Sequence, residues 1–322
     1  MRALRRLAYA TLALAYALIV FGAIVRISGS GMGCGDHWPR CFGSWFPPLD
    51  QPTLVIEWTH RLLAAITVAM VAGLVLLAYL KRAEPGVSGR FGVLRAALLA
   101  GALIVLQALL GMVTVRMGNT AAATVAHLLN GALLLAALAT TVLRAGGLGG
   151  AATVGAVATK TRAARGSAAA AAISLVTVLF GGLTAKIPGA NSACEGFPLC
   201  RGSFLPLPPQ HVQFTHRVLA FLLFFHVLGL MIGFAKRKEA PAVVRTVRVA
   251  FALIFLQLVI AAGMVEMHLP PAMRSLHEAD GIAIWVTLFA LAWLARFPNA
   301  QGTREPATGR APTPPLAASA AR

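Results

Sequence analysis

Charge is the scarce commodity in this sequence. Of its 322 residues, 12% are charged and only ten are acidic, whereas 58% are hydrophobic. A soluble domain of this length needs far more charged surface, so a large water-exposed fold is excluded. The first apolar run follows Arg2, Arg5 and Arg6 but lacks a small-residue cleavage site before Arg26, so it reads as a retained helix, not a signal peptide. The segment 144–168 has no anchoring apolar stripe; its Gly, Ala, Arg and Lys content reads as a linker. The stretch after Phe297 is rich in Pro, Ala, Thr and Arg and reads as a disordered tail.

What is abundant is long apolar runs, each able to cross a hydrocarbon core of about 30 Å. Eight spans are expected, at 7–27, 54–80, 93–115, 122–143, 169–186, 212–235, 246–267 and 273–295. The net charge of +18 invites a nucleic-acid reading, but its placement argues against one. Twenty of the 28 Lys and Arg residues fall in 1–6, 81–95, 144–168, 236–248 and the tail from 296, alternating with loops that hold few. That is the positive-inside pattern, and it puts both termini on the cytoplasmic side of a cell membrane. The expected partner of the basic surface is the lipid bilayer and its anionic headgroups, with no nucleic acid.

An internal repeat organises the chain. Arg26 precedes Cys34 by eight, Cys41 follows, and then comes Glu57-Trp58-Thr59-His60-Arg61. Lys186 precedes Cys194 by eight, Cys200 follows, and then comes Gln213-Phe214-Thr215-His216-Arg217. Gln107 lies twenty residues before His127, and Gln257 twenty before His277; Met117 and Gly131 align with Met267 and Gly281. Four spans per half keep the duplicates in the same orientation, related by an axis along the membrane normal. The fold class is therefore all-α integral membrane: eight transmembrane helices as two tandem homologous four-helix bundles. The expected units are an N-terminal half (1–143), a cytoplasmic linker (144–168), a C-terminal half (169–296) and the tail (297–322).

His60, His127, His216 and His277 sit at repeat-equivalent positions one or two turns inside the external helix ends. Within each half the two helices that carry them run parallel, so each pair shares a depth and can face across a bundle. Two facing imidazoles are natural axial ligands of a haem iron, and polar side chains at this depth are costly unless used. His37, His211 and His268 fall in or beside external loops, and His226 lacks a repeat partner, which favours packing. Arg61 and Arg217 could pair with haem propionates or snorkel to headgroups. Glu57 shares a helix face with His60, three residues away. Its counterpart Gln213 cannot titrate, so a proton-moving or cation-stabilising group exists in the first half alone. Four cysteines in two external loop pairs argue for two local disulfides, Cys34–Cys41 and Cys194–Cys200, on an oxidising face. Zinc held by four thiolates is the alternative, although the spacings of seven and six are long for it. The second disulfide reads as structural; the first, above the proposed reactive site, could exchange electrons with it.

Together these features resemble the haem A synthase family over roughly residues 7–295. The resemblance implies an oxidoreductase that converts the C8 methyl of haem O to a formyl group by successive hydroxylations through a hydroxymethyl intermediate. It implies a haem b cofactor ligated by His216 and His277, with the substrate haem near His60 and His127 and Glu57 taking part in catalysis. It further implies that Cys34 and Cys41 handle reducing equivalents, that an electron donor or acceptor exists, and that a haem O synthase could supply substrate. Two other readings explain the four histidines: a di-haem b-type electron carrier without haem turnover, and a haem transporter or chaperone. The electron-carrier reading leaves the exchange of Glu57 for Gln213 unexplained; in the transporter reading the first-half site only loads and releases haem.

Overall fold

The computed structural model describes residues 1–48, 50–150, 161–198, 200 and 208–297. It contains eight long helices: α1 (Arg2–Ile27), α2 (Pro52–Leu80), α3 (Val93–Arg116), α4 (Ala121–Arg144), α5 (Arg162–Lys186), α6 (Pro208–Lys236), α7 (Pro241–Glu266) and α8 (Pro271–Arg296). At 1.5 Å per residue, even the shortest of them, with 24 residues, spans about 36 Å, more than the hydrocarbon core. All eight are apolar enough to cross a membrane, so the chain is an all-α, multi-pass membrane protein.

Several helices begin before the hydropathic windows do. α2, α6, α7 and α8 all open on proline, whose fixed φ suits the first helical turn and whose missing N–H costs nothing there. α5 starts seven residues earlier than the expected span, at Arg162. The Thr161 side chain accepts the Ala164 N–H at 3.1 Å as an N-cap, and the alanine-rich turn that follows propagates readily. That helix therefore takes in the end of the segment 144–168. The centre of that segment, 151–160, and the tail from 298 lie outside the described residues.

The helices form two rings. α1 packs on α2, α2 on α3, α3 on α4 and α4 back on α1, and α5 to α8 repeat the order. The rings meet through α4, α5, α8 and α1. Half of the spanning window of α4 and 56% of that of α8 is buried, against 28% or less for each of the other six. α4 and α8 are thus the inner walls of the molecule, and they carry His127 and His277.

Hydrogen bonds tie the halves at this seam: Trp285 Nε1 donates to the Ala132 carbonyl (3.1 Å) and the Tyr16 hydroxyl to the Ala279 carbonyl (2.9 Å). Arg26 of α1 pairs with Glu278 of α8, next to His277. Two apolar cores form, one around Leu74, Leu135 and Leu138 and taking in Ile282 of α8, the other around Phe234, Leu288 and Leu291 and taking in Ala132, Ala136 and Leu143 of α4.

Candidate functional site

In the second half the site begins with two rings. His216 on α6 and His277 on α8 face each other edge-on, centroids 6.3 Å apart and planes at 70°. Two imidazoles each about 2 Å from a shared metal ion, with ring centres roughly 1 Å beyond their nitrogens, need a centroid separation of about 6 Å. His216 Nδ1–H donates to the Thr177 carbonyl at 3.0 Å, which fixes the tautomer and leaves Nε2 for a metal. His277 Nδ1 is buried and has no partner among the described residues. These residues fit an axially ligated haem iron.

The first half repeats the pattern with differences. His60 on α2 stacks on Phe21 of α1, centroids 6.4 Å apart and planes 12° apart. His127 on α4 also keeps a buried Nδ1 without a described partner. The amide nitrogen of Gln107 on α3 donates to the His127 carbonyl (3.1 Å) and faces its Nε2 (3.1 Å). Gln257 does the same for His277, at 2.9 and 3.4 Å.

The repeat thus explains the glutamines twenty residues before each second histidine: each braces the helix turn that carries it. The matching glycines Gly131 and Gly281 make room for this amide, since a Cβ there would lie 3.2 and 3.3 Å from the Gln107 and Gln257 Nε2 atoms.

A second glycine pair was not singled out by spacing. Gly22 follows Phe21 on α1, and Gly181 follows Phe180 on α5. A Cβ on Gly22 would meet His60 Nε2 at 3.2 Å, and one on Gly181 would meet His216 Cε1 at 3.1 Å. Phe-Gly also occurs at Phe42-Gly43 and Phe91-Gly92, and Gly22 and Gly181 lie four and five residues before Arg26 and Lys186, so packing and not the register of the repeat identifies this pair.

Above the helices lie the cysteine loops. Both disulfides form, Cys34–Cys41 and Cys194–Cys200, which removes the thiolates a zinc site would need; no His, Cys, Asp or Glu cluster among the described residues is built for a metal ion. Glu57 is buried beneath the first loop. Its Oε2 accepts the Cys34 N–H at 2.8 Å and its Oε1 the Arg61 Nη2 at 2.5 Å. Gln213 reverses the polarity, donating through Nε2 to the Asn191 carbonyl at 3.2 Å.

Arg61 and Arg217 are engaged by loop backbone. Arg61 Nη1 donates to the carbonyls of His37, Pro39 and Arg40 at 2.7 to 3.3 Å. Arg217 donates to those of Cys194, Gly196 and Pro198 over the same range. Each guanidinium clamps its cysteine loop to the helix that carries the first histidine. His226 Nε2–H donates to the Gly166 carbonyl (2.9 Å), a packing contact between α5 and α6.

A family model described as cytochrome oxidase assembly protein matches residues 5–55 and 51–289, which takes in all four histidines, Glu57 and both loops. The chain belongs to this family. Among relatives of this chain, the haem A synthase of Shouchella clausii is 32% identical over 245 residues, covering 75% of this chain and 79% of that one. The haem A synthase of Bacillus pumilus is 28% identical, covering 71% and 74%. A Thermus thermophilus protein named protohaem IX farnesyltransferase is 33% identical over 85% of this chain, which corresponds to 45% of that protein.

Proposed function

We propose that this membrane protein is an oxidoreductase of haem A biosynthesis that converts haem O to haem A, taking the C8 methyl to a formyl group through a hydroxymethyl stage. The observation that carries the reading is the pair of histidine sites in one fold, alike in ligands and unlike in Glu57 against Gln213. Relatives named haem A synthase point to the same reaction. The Thermus relative supports the choice of substrate and a haem O synthase as its supplier, because farnesylating protohaem is the step that makes a farnesylated haem.

In this reading the second half holds haem b between His216 and His277. When bound, that haem supplies one-electron redox chemistry. The chain does the rest. Thr177 fixes the His216 tautomer and Gln257 braces His277. Trp285 and Tyr16 lock the two halves, so that both sites keep a fixed separation.

The first half takes haem O as substrate, with His60 and His127 to hold its iron. Glu57, buried three residues before His60 on α2, is the carboxylate this half brings to the site. Arg61 pairs with it and orients it in a buried setting, where an isolated charge would be prohibitive. A carboxylate there can accept protons released as the methyl is oxidised and stabilise positive charge beside the ring. The Cys34–Cys41 disulfide touches this carboxylate through the Cys34 N–H, which suits it to exchange electrons with a donor or acceptor at the external face. Both termini lie on the cytoplasmic side of the cell membrane and the cysteine loops on the outer side, in keeping with the basic segments.

Membranes containing the protein, supplied with haem O and an electron acceptor, should yield extractable haem with the mass of the hydroxymethyl and formyl products. Recovery of haem O alone would turn the reading toward a di-haem electron carrier or a haem transporter.

A further inference from the structure

Asp280 is a buried carboxylate within the spanning part of α8, about 15 Å from the start of that helix. The function above gives it no task. Its repeat counterpart is Asn130, as Gly281 is that of Gly131. In the first half Asn130 Nδ2 donates to Gln107 Oε1 at 2.6 Å and to the Leu103 carbonyl at 3.0 Å, completing a chain from Asn130 through Gln107 to His127.

In the second half the same two positions each hold a buried oxygen without a partner: Gln257 Oε1 and Asp280 Oδ2. Gln257 itself is in register, since its Nε2 lies against Gly281 as that of Gln107 lies against Gly131. Two acceptor oxygens where the repeat has a donor and an acceptor lack one thing, a proton.

No described side chain supplies that proton. The neighbouring Tyr16 spends its hydroxyl proton on the Ala279 carbonyl, and Arg26 is taken by Glu278. No cation pairs with Asp280 among the described residues, and a bare carboxylate at this depth costs several kcal/mol, which proteins avoid by neutralising the group. Protonated, the carboxyl has one O–H donor, and Gln257 Oε1 is its matching acceptor.

We infer that Asp280 is a neutral carboxylic acid that donates to Gln257 and thereby positions His277, a positioning residue for the second-half haem site. The inference rests on that site holding haem between His216 and His277. Protonated Asp280 restores the amide chain of the first half, and Gln257 then carries the constraint to the His277 carbonyl and ring.

The test uses the full chain, purified with its haem, as wild type, Asp280→Asn and Asp280→Leu. Infrared spectra should show a protonated-carboxyl carbonyl band in wild type that is missing in Asp280→Asn. Asp280→Asn, which supplies the Asn130 donor, should keep the wild-type haem spectrum and midpoint potential. Asp280→Leu should change both or lose haem.

A rise in potential in Asp280→Asn would mean that a negative charge had been removed near the iron, and would overturn the inference. So would absence of the carboxyl band, or an Asp280→Leu protein with wild-type haem properties. Should wild type itself lack a bis-histidine haem spectrum, the functional reading falls instead, and the infrared band still decides the protonation of Asp280.

Discussion

Replacing Gly181 by alanine puts a methyl carbon 3.1 Å from Cε1 of His216. Carbon atoms in contact prefer about 3.5–4.0 Å, so the ring must retreat by roughly half an ångström or more. Two constraints oppose that retreat. The His216 Nδ1–H···O bond to Thr177, now 3.0 Å, would reach the limit of a hydrogen bond. A metal–nitrogen bond tolerates about 0.2 Å. Overpacking of this kind costs about 1–3 kcal/mol, which converts to roughly 5- to 150-fold weaker haem retention.

The assay is haem b per protein after purification, with the visible spectrum as a check on ligation. Gly22→Ala is the built-in control, because its Cβ meets His60 at 3.2 Å in the other half. It should spare the resident haem and slow product formation. Full haem with an unchanged spectrum in Gly181→Ala, or loss of resident haem in Gly22→Ala alone, would refute the reasoning.

Ligation can be separated by half: His216→Ala should lose the resident haem, whereas His60→Ala should keep it and make no formyl product; equal haem content in the two would contradict the assignment. Arg217→Met strips three loop carbonyls of a charged donor, each such bond being worth about 1.5–3 kcal/mol. The Cys194–Cys200 loop should become protease-sensitive at a lower temperature, with haem content the secondary casualty. Arg61→Met should be the more damaging of the two, by about 3–5 kcal/mol in stability, because it also leaves Glu57 buried without its cation; a smaller effect than that of Arg217→Met would argue against a stabilising Arg61–Glu57 pair.

The fold was legible because membrane physics leaves few options: apolar runs longer than eighteen residues, basic segments on alternate loops, and a repeat strong enough to pair residues by eye. Depth and spacing alone match His216 with His277, whose rings face each other, and propose the same pairing for His60 and His127. What spacing could not give is direction. Gln107 and Gln257 were visible as repeats, but their task, bracing the histidine one helix away, depends on where α3 and α7 pack. Arg61 and Arg217 look from sequence like propionate partners, yet their donors go to loop carbonyls folded above them, a contact set by loop geometry that no helical periodicity encodes. Asp280 was invisible for a different reason: an acidic residue in a span carries meaning only beside Asn130 and a partnerless Gln257 oxygen. Helix starts at Pro52, Pro208, Pro241 and Pro271 were missed by a few residues because hydropathy ignores caps.

The central claim is that one exchange, Glu57 for Gln213, separates a reacting half from a storing half. The direct measurement is the mass composition of haem extracted from Glu57→Gln and Gln213→Glu proteins, each supplied with haem O and an electron acceptor. Glu57→Gln should yield haem b together with unconverted haem O, and Gln213→Glu should yield haem b with hydroxymethyl and formyl products. Formyl product at the wild-type level from Glu57→Gln would contradict that claim.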